Sequence, residues 1–276
     1  MRAARGLFAE RPALSPTAGC ARSTPRNARL GQCAGMSPER WALERCWCKT
    51  LNMPKSEEVS RAFYAQLGAV GLAKRTRPEW DEKIIRALVE MLPRDARVLD
   101  LGCGYGRIAL PLARAGYHVE GLDFSQNLIE AARATAGADG LRLGFVVGSM
   151  TSLPYTSTTF DAVICLWSAF NELLEEDDQA RAISEMWRVL RSRGFALIEG
   201  PVYKEPSDAE LDSRTRRGPE NRVAWGLVEG IARPHYAHDE RSFRRICEAG
   251  GVQRFEVFER EWAGRQRLFL RFDKPA

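Results

Sequence analysis

The sequence predicts an α/β, doubly wound domain. Three observations carry that expectation. The apolar run Val98-Leu99 with Leu101 breaks at Gly102, Gly104 and Gly106, and apolar residues return at Ile108, Leu110 and Leu112: strand, tight turn, helix. Further apolar stretches of strand length end at Leu122, Val147, Leu166 and Ile198, with helix-period segments between them. Two last strand runs, 252–260 and 266–272, flank Trp262-Ala263-Gly264-Arg265 as a hairpin. Sheets of this kind bind ligands outside the carboxyl ends of their strands, so residues at those ends are the functional candidates.

The glycine turn discriminates between ligands. A dinucleotide site needs G-x-G-x-x-G, whereas here the glycines read G-x-G-x-G and Arg107 takes the third place of the dinucleotide register. Asp100 stands two positions before the first glycine. A carboxylate there repels a pyrophosphate and suits a ligand with an ammonium group, while the following helix offers free N–H groups to the turn. Val98-Leu99-Asp100-Leu101-Gly102-Cys103-Gly104-Tyr105-Gly106 resembles the first motif of the class I S-adenosylmethionine-dependent methyltransferases throughout. The resemblance extends from about Lys55 to Phe272. It implies a mostly parallel sheet with helices on both faces, one antiparallel strand near the C-terminus, and S-adenosylmethionine held by Asp100, Gly102, Cys103, Gly104 and Gly106.

Composition sets the frame. The chain has 276 residues, 45% hydrophobic, enough for a sizeable core, and no apolar run reaches the roughly 18 residues of a membrane helix. The net charge of +5 is concentrated near the start: residues 1–50 carry nine Arg/Lys against three Asp/Glu, leaving 32 basic and 33 acidic groups elsewhere. A nearly neutral body argues against a broad nucleic-acid footprint. Seven cysteines, four of them at Cys20, Cys33, Cys46 and Cys48, show no zinc spacing, so no metal is expected and a reducing, cytoplasmic setting fits.

Residues 1–52 are rich in Arg, Ala, Pro, Ser and Thr without periodicity, the composition of a disordered or dispensable extension, a transit segment or an over-long start. The methyltransferase domain is expected over 53–276. Glu58 to Leu67 reads as a helix that breaks at Gly68–Gly71, and Pro78 opens a second helix to Leu92 with Trp80, Ile84, Ile85, Leu88 and Met91 in helical register. By resemblance these leading helices cap the cofactor and wall the acceptor pocket, which makes Tyr64, Arg77 and Trp80 candidates. The second strand ends at Asp123, whose carboxylate can accept both ribose hydroxyls, with Phe124 beside the adenine and Ser125 capping a helix over Gln126 to Ala134. Leu143 to Val147 is a third strand, followed by Ser149 where the family usually has an acid for the adenine amino group; Met150 adjoins it.

Ala162 to Leu166 is apolar enough for a strand buried on both faces. Leu166, Trp167, Phe170 and Asn171 emerge beside the point where strand order reverses: Leu166 for the cofactor, Trp167 and Phe170 for the acceptor, and Asn171 as a polar contact. Asp177 or Asp178 caps a helix to Leu190, Arg191 to Gly194 turns, and Phe195 to Ile198 is strand five with Glu199 at its end. Gly200 to His238 is a polar segment with four prolines, an insert or lid in which His235 is the residue to watch as a base. Asp239 then starts a helix over Glu240 to Ala249.

The expected function is methyl transfer from S-adenosylmethionine to a small-molecule acceptor by in-line displacement, a catalysis of proximity and orientation. No residue is nominated as catalytic beyond the candidates His235 and Asn171. Nucleic-acid amino-methylating enzymes tend to carry Asn/Asp-Pro-Pro-aromatic after strand four, where this chain has Leu166-Trp167-Ser168-Ala169-Phe170. Two alternatives are a tRNA or protein methyltransferase using Arg214, Arg216, Arg217 and Arg222, and a non-catalytic cofactor-binding relative. Oligomeric state and acceptor identity have no signature in the sequence.

Overall fold

The computed structural model describes residues 56–203, 216–217, 222–228, 230–262 and 264–276. The expected extension over 1–52, its boundary at 52/53 and its four cysteines lie outside the described residues. So does much of the expected insert, Arg214 included.

Two helices come first, α1 (Ser56–Ala73) and α2 (Pro78–Met91). The first does not stop at Gly68; it kinks there, where φ is 64°, and runs through Gly71 to Ala73. The parallel core follows: β1 (Arg97–Leu101), α3 (Ala109–Arg114), β2 (His118–Asp123), α4 (Gln126–Ala138), β3 (Gly144–Val147), β4 (Phe160–Cys165), α5 (Glu176–Val189) and β5 (Leu190–Pro201). Beyond it lie β6 (Arg216–Arg217), β7 (Val223–Val228), β8 (Ile231–Tyr236), α6 (Glu240–Ala249), β9 (Glu256–Trp262) and β10 (Arg265–Asp273). The main sheet has the order β3-β2-β1-β4-β5-β10-β9, parallel through β5, with β10 antiparallel to both neighbours. Order reverses between β1 and β4, which leaves a crevice at their carboxyl ends.

Strand alternation divides the core. Val163 and Cys165 face α5 and α6 with Ile183, Met186, Phe243 and Ile246. Ala162 and Ile164 face α2, α3 and α4 with Ile84, Leu88, Leu112 and Ile129. Both faces of β4 are therefore dry, as its unbroken apolar sequence requires.

Several local expectations are corrected. Glu175, not Asp177 or Asp178, is the N-cap of α5. Ser125 occupies the N-cap of α4 but its hydroxyl bonds the Asn127 side chain instead of the backbone, and the helix extends past Ala134 to Ala138. Arg191 to Gly194 is a bulge within β5 and not a turn that precedes it: Phe160 pairs with Leu190 and Ala162 with Phe195, Arg193 has φ 65°, and the Arg193 N–H donates to Lys274 O and the Lys274 N–H to Gly194 O, each at 2.8 Å. Strand β3 starts at Gly144 and β9 at Glu256, where pairing with β2 and β10 begins. The described part of the polar insert is a second, three-stranded antiparallel sheet in the order β6-β7-β8, turning at Gly230 where φ is 77°.

Among the described residues no helix is long and apolar enough to cross a membrane, and no cluster of His, Cys, Asp or Glu has the makings of a metal site.

Candidate active site

A cavity of about 290 Å³ opens at the reversal of strand order. Its floor is the glycine turn. Gly102 has φ 70°, and a Cβ there would collide with the Ala169 methyl on the loop after β4, so bare backbone is required where the two strand ends meet. The N–H groups of Gly102 and Cys103 both donate to Leu122 O, locking the turn to β2. Gly104 N–H donates to Asp123 Oδ2 at 2.9 Å, and Ser125 N–H donates to Asp123 Oδ1 at 2.9 Å. Asp123 thus ties the ends of β1 and β2 together while keeping a second lone pair on each oxygen.

Asp100 is 2% exposed, and its Oδ2 has no hydrogen-bond partner. Burial, and secondarily the charge of Asp123, push its carboxyl up to about 7, against the pull of the Ala109 N–H. Burial also raises Asp123 to about 6, opposed by its two backbone N–H donors. A buried carboxylate oxygen lacking a donor is costly, and a cationic ligand would remove that cost.

Of the residues singled out from sequence, Tyr64, Trp80, Asp100, Gly102, Cys103, Gly104, Asp123, Phe124, Met150, Leu166 and Trp167 all line this cavity. Six others are absent from its lining. Arg77 lies over the Trp80 ring, 4.7 Å from its centre, outside the lining. Gly106 packs its backbone against Leu110 and Phe145 behind the turn. Ser149 spends its hydroxyl on Thr151, bonding both Oγ1 and the N–H. Phe170 is core: it is fully buried against His238 and Phe243. Asn171 is buried too, donating from Nδ2 to Tyr236 O at 2.6 Å, and Gly200 is needed to leave it room. His235 sits on β8 opposite Ala224, outside the lining.

The lining includes residues that sequence reasoning passed over. Glu172 accepts Ser60 Oγ at 2.7 Å, Tyr64 OH at 3.2 Å and Arg233 Nε at 2.8 Å. This one carboxylate joins α1, the 3₁₀ turn Phe170–Glu172 and β8 into a roof, and burial together with Glu172 drives the Tyr64 phenol well above its ordinary range. Glu199 accepts the Trp167 N–H at 2.7 Å and pairs with Arg267, which also donates to Ser168 Oγ at 2.7 Å. Trp80 and Trp167 lie nearly parallel, 6.3 Å apart, and the Arg107 guanidinium lies 3.6 Å from the Trp167 ring centre while paired to Asp81. The only advance signal for these was position: Glu199 and Glu172 follow strand ends.

The methyltransferase-domain family model matches residues 98–194, the span from β1 to β5 that builds the cavity floor. Over that span the chain carries a methyltransferase domain, and its fold is that of the class I S-adenosylmethionine-dependent methyltransferases. It is 30% identical to a putative methyltransferase of Geobacillus sp. (strain WCH70) over 60% of this chain and 66% of that one. It is 38% identical to a demethylmenaquinone methyltransferase of Deinococcus radiodurans over 38% of this chain and 43% of that one. The chain thus spans under two thirds of the length of these curated relatives. Among solved structures, a methyltransferase of Methanosarcina mazei shares the fold with TM-score 0.56 at 21% identity, covering 68% of this chain and 97% of that one. Magnesium protoporphyrin IX methyltransferase of Synechocystis PCC 6803, solved with S-adenosylmethionine, does so with TM-score 0.54 at 18% identity, over 82% and 100%.

Proposed function

We propose that this chain transfers a methyl group from S-adenosylmethionine to a small-molecule acceptor bound in the cavity. One observation carries the reading: the partnerless, buried Asp100 oxygen beside a cavity it shares with Asp123 and an aromatic wall. The residues fit the cofactor. Asp100 would take its ammonium group, and Asp123, oriented by the Gly104 and Ser125 N–H groups, would accept the ribose hydroxyls. Phe124, Met150 and Leu166 supply apolar surface for the base. Gly102, Cys103 and Gly104 let the ligand approach backbone. Bound there, the cofactor supplies a methyl carbon already activated by its sulfonium.

The chain's own share is positioning. Tyr64 and Trp80 from the leading helices and Trp167 from the β4 turn enclose the acceptor and exclude water. Glu172 and Glu199 are both engaged by arginines, so neither is placed to serve as a base, and the acceptor must present its own lone pair. A small acceptor is favoured by the roof of α1 and β8 over the cavity and by the relative named for demethylmenaquinone. Arg222, one of the arginines a nucleic acid would need, is buried and paired with Asp239 at 2.9 Å. We take 53–276 as the working unit with 200–238 as an insert over the site, and place it in the cytoplasm, where buried free Cys103, Cys165 and Cys247 stay reduced.

Calorimetric titration with S-adenosylmethionine, S-adenosylhomocysteine and NAD tests the reading. Micromolar binding of the first two and none of NAD is expected; binding of NAD alone, or of none, refutes it.

A further inference from the structure

Resting on that reading, we propose that the acceptor is a small molecule bearing a carboxylate, its apolar frame in the tryptophan-lined part of the cavity and its anion on Arg265. The cavity is divided by charge. Asp100 and Asp123 hold the end formed by β1 and β2. The opposite wall, built by α2, the β4 turn, the β9–β10 hairpin and Arg107 after the glycine turn, presents Trp80, Trp167, Trp262, Arg265 and Arg267 as well.

Hydrogen-bonding capacity on this second wall runs one way. Trp167 Nε1 and Trp262 Nε1 are buried donors without an acceptor. The wall's one acid, Glu199, has both oxygens occupied by the Trp167 N–H and Arg267. Arg107 is neutralised by Asp81 at 2.8 Å. Arg265 differs: among the described residues its guanidinium contacts only the Trp80 ring, 4.7 Å from its centre, and no acid pairs with it. A wall of unmet N–H donors with an unpaired guanidinium at its rim selects a ligand that offers acceptors and negative charge.

Apolar surface accompanies the donors. The Trp80 and Trp167 rings stack on one another, 6.3 Å apart and inclined by 19°, and with Trp262 they line this part of the cavity. Arg265 lies over the Trp80 ring, where a carboxylate on the ligand meets the guanidinium fork in bidentate fashion. The cofactor brings a carboxylate of its own, so the proposal concerns binding that persists once the cofactor site is filled.

The test titrates the full chain, saturated with S-adenosylhomocysteine, with 2-naphthoate and with 2-naphthamide, which share a ring system and differ in charge. Naphthoate is expected to bind at least tenfold more tightly. In Arg265→Gln that advantage should shrink below threefold while S-adenosylhomocysteine affinity stays within twofold, and Arg265→Lys should restore part of it. Equal affinities, no binding of either probe, or an advantage that survives Arg265→Gln overturns the proposal. Failure of S-adenosylhomocysteine to bind the unaltered chain instead sinks the methyltransferase reading; the naphthoate comparison on the chain alone then still decides whether the anion site exists.

Discussion

Replacing Asp100 by Asn should stabilise the ligand-free protein at alkaline pH and abolish its cofactor affinity. The amide oxygen keeps the Ala109 N–H as donor, so the substitution removes chiefly the charge. In the folded chain the carboxyl titrates at about 7 instead of 3.8, because the protonated form is the one that burial tolerates. The unfolded chain therefore holds fewer protons than the folded one between those values, and stability present below pH 4 is lost as pH rises through 7. Linkage puts the loss between pH 5 and pH 8 at about 3 kcal/mol. For a domain of this size that is roughly 6–12 °C in melting temperature. The gap in melting temperature between Asp100→Asn and the native chain should widen by that amount from pH 5 to pH 8, the variant higher. Over the same range S-adenosylhomocysteine should bind the native chain more tightly as pH rises, since its ammonium pairs with the ionised form, and should not bind the variant. A gap between the two proteins that is constant with pH would refute the reasoning.

Asp123→Ala strands the Gly104 and Ser125 N–H groups and deletes the proposed ribose acceptor; about 1–3 kcal/mol should disappear from cofactor binding, and calorimetry showing unchanged affinity would contradict the assignment. Phe170→Ala leaves a hole beside His238 and Phe243 and should cost about 3–5 kcal/mol in denaturant unfolding with cofactor affinity intact; the reverse pattern would return Phe170 to the site. Glu172→Gln leaves the Arg233 guanidinium, whose side chain is 25% exposed, without its counter-charge. That change should lower the denaturant midpoint by an amount equivalent to about 1–3 kcal/mol, discounted for solvent screening, and a midpoint that does not move would show that the roof is held by other contacts.

What could be read in advance divides along contact distance. The floor was legible because its causes are local. Gly102, Gly104 and Asp100 fall within one strand–turn–helix unit, and Asp123 ends the strand next to it in the sheet. The upper wall was not, because its pairs join residues 61, 68 and 99 positions apart: Arg233 to Glu172, Arg267 to Glu199 and Arg267 to Ser168. Phe170 and Asn171 were read as site residues because they follow Trp167 in the chain. Trp167 and Ser168, however, both adopt left-handed backbone, with φ 55° and 67°, and the chain leaves that turn heading inward. Nothing in Leu166 to Asn171 announces such a turn, for neither residue is Gly or Asn. The insert looked like a loop because it is polar and proline-rich, yet the described part pairs as β7–β8, with Pro234 opposite Trp225 inside the run that Tyr236 anchors in the core.

The β4 turn also explains why the site's arginines and acids are arranged as they are. Two non-glycine residues in left-handed backbone cost roughly 1–3 kcal/mol each, so something must over-determine them. Glu199 does so by accepting the Trp167 N–H, and Arg267 by donating to Ser168 Oγ. A buried carboxylate used in this way needs a counter-charge, and Arg267 supplies it from β10, the antiparallel strand inserted beside β5. The antiparallel closure of the sheet is therefore coupled to the shape of the cavity: it delivers the guanidinium that lets Glu199 stay ionised and hold the turn. Holding the turn in turn exposes the Trp167 ring to the cavity and sends Phe170 into the core. The same pairing removes Glu199 from proton transfer, leaving the wall rich in donors. An arrangement that spends its acids on backbone geometry suits a reaction in which the reagent arrives activated and the protein's work is to aim it.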